Sequence, residues 1–143
     1  MHLANLSLGS PKREHEAVLY AAVNRAAALG MLLVAARDDQ GVTYFPGSLP
    51  GVVPVQVDWS LHRREFRVVD VDGTPVVRAS GLPREIPGVP PSRNLHGVSF
   101  AVANATGIIA RAIENANPVT AVGRVFERLK DVSEARNRQD VRP

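Results

Sequence analysis

The chain has 143 residues, 45% of them apolar and 22% charged, with a formal net charge of +3 and no cysteine. That size fits one domain with a single ordinary core; the lack of cysteine excludes disulfides and thiolate metal sites, and no apolar run approaches the ~20 residues that span a bilayer. The 17 basic residues are scattered, almost all Arg, and form no stripe with aromatic side chains, so neither nucleic acid nor a membrane is expected as partner.

Taken in chain order, residues 3 to 8 read as a short strand ending at Gly9. Ser10 and Pro11 are suited to the cap and first position of a helix, and the Ala-rich stretch from Glu14 to Leu29 carries Val18, Ala22 and Leu29 at helical spacing. Gly30 is a stop signal, and the uninterrupted apolar run from Met31 to Ala36 suits a strand buried on both faces of a parallel sheet. Strand, helix and strand make a βαβ unit.

Val52 to Val57 and Phe66 to Val71 read as two more strands, with Asp72-Gly73 a hairpin turn into Val76-Val77. Residues 80 to 96, with four prolines, read as an irregular surface loop. Gly97 to Asn115 reads as a helix whose Ala101, Ala103, Ala105 and Gly107 permit close packing. Asn117 and Pro118 mark the start of a last helix reaching about Val132; the polar tail from Ser133 to Pro143 is expected to fray. The expected organisation is one domain over residues 1 to 132 plus that tail.

Four segments in order resemble the subtilisin-like serine proteases (subtilases). Asn5-Leu6-Ser7-Leu8-Gly9 is similar to the N-x-S-L-G strand, and Val34 to Gly41 sits where the family has an A-A-G-N-x-G loop. Phe45-Pro46-Gly47-Ser48-Leu49-Pro50-Gly51-Val52-Val53-Pro54-Val55 follows Y-P-x-x-x-P-x-V-x-x-V, with an aromatic residue before Pro46 that favours a cis bond. Gly97-Val98-Ser99-Phe100-Ala101-Val102-Ala103-Asn104-Ala105-Thr106-Gly107 resembles G-T-S-x-A-x-P-H-V-x-G, and beyond these four Ala79-Ser80-Gly81 resembles the family's A-P-G turn. The resemblance implies a three-layer α/β fold, the C-terminal half of the family's domain, with a mostly parallel sheet flanked by helices. It places Ser99 at the nucleophile position on a helix N-terminus, and Ser7, Leu8 and Gly9 on the strand to which a peptide adds edgewise.

The departures bear on chemistry. A subtilase needs a His base, an Asp that orients it and an oxyanion donor. The family's Asp and His precede the N-x-S-L-G strand, with which this chain begins. His96, the histidine nearest Ser99 in sequence, would point from the incoming loop rather than across the cleft. His15 falls on a helix expected far from the cleft, and His2 and His62 have no recognisable site.

Asp39, or Asp38 if the alignment shifts by one residue, stands at the oxyanion Asn position and places a like charge where a donor is needed. Loss of that donor costs a subtilisin about 10²–10³ in rate, and loss of the base about 10⁶. Val98, Ala103 and Asn104 replace the motif's Thr, Pro and His, which fits relaxed constraint on the site.

The expectation is a catalytically inactive homologue, without metal or cofactor and cytoplasmic, that binds a peptide or protein. Two alternatives remain open: half of a split serine endopeptidase whose Asp and His come from another chain, and a structural or dimeric remnant. Half a fold also implies an open sheet edge covered by a partner chain or in a homodimer.

Overall fold

The computed structural model describes residues 2–90, 93–114 and 121–140, the last six of these as backbone alone. Its strands are β1 (His2–Leu6), β2 (Met31–Ala36), β3 (Asp38–Asp39), β4 (Val42–Thr43), β5 (Val52–Val57), β6 (Phe66–Val71) and β7 (Thr74–Ala79). The helices are α1 (Glu16–Ala28), α2 (Val98–Ile113) and α3 (Val122–Asp140). Five strands form a sheet in the order β1-β2-β5-β7-β6, in which only the β6–β7 pairing is antiparallel. The fold is α/β with a mostly parallel sheet.

The unbroken apolar run of β2 is explained by the two faces it serves. Leu32, Val34 and Ala36 join Val53, Val55, Val77 and Ala79 beneath α2 and α3, whereas Leu33 and Ala35 join Val23, Phe45, Leu49 and Val52 beneath α1. Successive side chains of a strand alternate between faces, so a strand covered on both sides must be apolar throughout. Three layers result. On α2 the buried positions Ala101, Val102, Ala105, Ile109 and Ile113 follow helical spacing, and α3 contributes Val125, Phe126 and Leu129 to the same core.

The strand, helix and strand order is as expected, and β1 and β2 are parallel neighbours, with His2 to Leu6 in register with Met31 to Ala35. The peptide bond between Phe45 and Pro46 is cis. Asp72 and Gly73 both adopt positive φ, which suits a tight hairpin between β6 and β7.

Four boundaries differ from expectation. β1 ends at Leu6 and not at Leu8, so Ser7, Leu8 and Gly9 follow the strand rather than lie on it. Ser10 does not start a helix: its backbone N–H and C=O pair with Phe45, each at 2.9 Å, which holds it extended, and a 3₁₀ turn (Arg13–His15) leads into α1. The chain after β2 folds into an unforeseen hairpin of β3 and β4, turning through Gln40 and Gly41, both at positive φ. Finally, α3 continues to Asp140, past Val132; the Asn117-Pro118 start signal lies outside the described residues.

Gly47 is required by proximity, since a Cβ there would lie 1.9 Å from the Ala36 carbonyl oxygen. This close approach seats the segment after Pro46 against the end of β2. Among the described residues no helix is long and apolar enough to cross a membrane.

Candidate functional site

Ser99 is the second residue of α2 and is exposed. Gly97 precedes the helix with φ of 154°, and its N–H donates to the Gly81 carbonyl (3.0 Å). The Ser99 hydroxyl donates to the Ser7 carbonyl (3.3 Å), and the Ser7 hydroxyl lies 3.4 Å from the Ser99 carbonyl and 2.8 Å from Asn5 Oδ1. The fold therefore joins two of the sequence-derived segments, the extension of β1 and the start of α2, by a reciprocal pair of long hydrogen bonds. Leu8, next in the chain, is 86% exposed.

The turn at residues 79 to 82 is held against α2 by Asn104, whose amide donates to the Ser80 carbonyl (2.9 Å) and the Leu82 carbonyl (3.0 Å). The residue read as a relaxed substitution is thus a structural tether. The six-membered edge of the Trp59 indole lies over Gly81, where a Cβ would come within 2.5 Å of the ring. Trp59 in turn meets His96 edge-on, with centroids 5.9 Å apart and planes at 77°. His96 Nδ1 lies 3.3 Å from the Asn94 carbonyl, so the imidazole is engaged with its own loop rather than with Ser99.

Asp38 and Asp39 form β3. Asp38 is engaged by its neighbours: Gln56 Nε2 donates to both carboxylate oxygens (3.0 and 2.9 Å), the Arg37 guanidinium lies 3.1 Å away, and Arg78 Nε donates onward to Gln56 Oε1 (3.2 Å). Such charge-assisted bonds hold the carboxylate at the sheet's end. Neither Asp38 nor Asp39 bonds to Ser99. Among the described residues, no imidazole or carboxylate is hydrogen-bonded to the Ser99 hydroxyl, so nothing there takes up its proton.

A different serine does contact a histidine. Ser10 Oγ lies 2.8 Å from His15 Nδ1, and His15 Nε2 lies 3.6 Å from Glu14 Oε1. Ser10 Oγ also accepts the Lys12 N–H (3.2 Å), so the hydroxyl closes the turn that leads into α1. The sequence reading assigned this hydroxyl to a helix cap and missed the contact. The spacing from Ser10 to His15 carries no recognisable signal, because the intervening 3₁₀ turn brings the two together. No group of three or more His, Cys, Asp or Glu among the described residues is arranged to hold a metal ion.

No family model and no curated protein matches the chain. The site is an exposed serine at a helix N-terminus, beside the segment that continues from a sheet edge.

Proposed function

We propose that this chain is a subtilisin-like serine protease homologue without independent catalytic activity, and that it binds a peptide or protein segment by strand addition. The observation that carries this reading is the outer edge of β1. This strand ends the sheet and pairs with β2 alone among the described residues. Its continuation through Ser7, Leu8 and Gly9 runs past the N-terminus of α2, with Leu8 exposed. An unpaired edge offers backbone donors and acceptors to an extended peptide, and neighbouring side chains supply selectivity. The position of Ser99 on a helix start and its contact with the Ser7 segment support the likeness to the subtilases.

Nuclear magnetic resonance titration with an extended peptide tests the reading. Shift changes should concentrate at residues 3 to 9, and Leu8→Pro, which removes one N–H from the segment that follows β1, should weaken binding about fivefold to tenfold, the worth of one hydrogen bond. Changes confined to other surfaces would reject strand addition here.

The exposure of Ser99 favours a second reading, half of a split endopeptidase. It requires that a chain supplying Asp and His makes Ser99 react with a fluorophosphonate probe. Mixing with a candidate N-terminal half and observing no labelling lost in Ser99→Ala would remove it.

A further inference from the structure

Residues 62–64, residues 82–89 and Asn94 line a cleft that the strand-addition reading does not use. A small recess of about 100 Å³ is lined by Leu82, Pro83, Val89 and Asn94 together with His62, Arg63 and Glu85. It adjoins an open cleft of about 740 Å³ that shares His62, Arg63, Glu85 and Val89 with it and adds Arg64 and Arg84. Both walls are braced. The backbone at residue 62 donates to Glu65 Oε2 (2.9 Å) and accepts from the Glu65 N–H (2.8 Å); the Val89 N–H closes a turn on the Ile86 carbonyl (3.0 Å); and the Asn94 amide ties the Arg84 carbonyl (3.2 Å).

The charge of the cleft is unbalanced. Arg63, half-buried, and Arg84, exposed, form no ion pair with any described residue, and Glu85 is the one carboxylate lining the cleft. A partly buried guanidinium without an anion gives up hydration for nothing in the free protein, so an incoming carboxylate meets a site already partly desolvated. The basic lining continues over α2, where Arg63 and Arg64 share a second groove with Arg111.

We infer that this cleft binds an acidic peptide segment, seating one aliphatic side chain in the recess between Leu82 and Val89 and pairing flanking carboxylates with Arg63 and Arg84. The recess favours a peptide over a polynucleotide, because no Phe, Tyr or Trp lines either cavity to stack on bases, whereas Leu82, Pro83 and Val89 suit an aliphatic group. The inference does not depend on strand addition at β1.

The test is fluorescence anisotropy with a labelled Glu-Asp-Leu-Asp-Glu peptide. Binding should weaken about tenfold for Arg63→Glu and about threefold for the more exposed Arg84→Glu, and should fall as salt rises. Replacing the peptide's Leu by Ala should weaken it about tenfold, the value of an aliphatic side chain partly buried. Arg84→Glu changes an exposed side chain and keeps the test open if Arg63→Glu does not fold. No binding at millimolar peptide, equal affinity for Arg84→Glu, or equal affinity for a single-stranded oligonucleotide of matched charge would overturn the inference.

Discussion

An alcohol becomes a nucleophile at neutral pH only when a base receives its proton, and the Ser99 hydroxyl points instead to a backbone carbonyl 3.3 Å away. The purified chain is therefore expected neither to hydrolyse peptides nor to label with fluorophosphonates, as gel fluorescence would show. Labelling lost in Ser10→Ala would redirect attention to the Ser10–His15 contact, and labelling lost in Ser99→Ala would reveal a base at the cleft. A second residue-scale prediction concerns Asp58. The Ser60 hydroxyl (2.6 Å) and N–H (3.0 Å) donate to its carboxylate, and the Arg67 guanidinium lies 3.4 Å away, which together hold its pKa below the usual 3.8. A carboxylate with a pKa lower in the folded than in the unfolded state stabilises the fold above the unfolded value, and that stabilisation is lost as pH falls through the folded value. The stability difference between wild type and Asp58→Asn should thus be largest near neutral pH and shrink below about pH 4 in denaturant titrations.

Two elements are held by single residues. Asn104 joins α2 to the turn at residues 80 to 82 by two hydrogen bonds to backbone carbonyls. Asn104→Ala removes both donors from a part-buried place and should cost about 1–3 kcal/mol. Faster amide exchange in the loop at residues 81 to 97 than in β5 would show that the tether is local. Gly47 acts at the end of β2, where any Cβ would collide with the Ala36 carbonyl oxygen, a backbone atom that cannot rotate away. Gly47→Ala should therefore lower stability by about 2–4 kcal/mol, measured by thermal or urea unfolding. A shift smaller than about 0.5 kcal/mol would mean that this contact relaxes at little cost.

At the scale of the whole molecule, the sheet has an uncovered side. The outer edge of β1 is unpaired among the described residues, and α3, which packs on α2 and approaches β6, lies toward the opposite edge. Leu8, Val18 and Leu29 are 86%, 66% and 67% exposed, and α1 buries only Val23. Covering ~800 Å² of apolar surface is worth on the order of 20 kcal/mol before the large costs of association. A partner chain at the β1 edge, or a two-fold pairing of β1 against β1 that must open before a peptide can add to the same edge, is the expected outcome. Sedimentation at micromolar concentration should show a species larger than the monomer; a soluble monomer would count against the prediction.

The strand at 31–36 was legible from sequence because a strand buried on both faces admits only apolar residues, those at 52–57 and 66–71 because their Val-rich runs suit a strand, and the turn at Asp72-Gly73 because positive φ favours those residue types. The serine at a helix start was legible too, through Gly97 and the small residues that follow it. What only the tertiary structure decided depends on neighbours distant in the chain. The backbone pairing of Ser10 with Phe45 delays α1, the Gln56 and Arg37 contacts hold Asp38, and the two carbonyls of the turn at residues 80–82 give Asn104 its role. The cleft around Arg63 and Arg84 belongs with these, because two loops about twenty residues apart form it and neither carries a periodic pattern. Local propensity marks elements; the pairing of polar groups across the fold is set only when those elements pack.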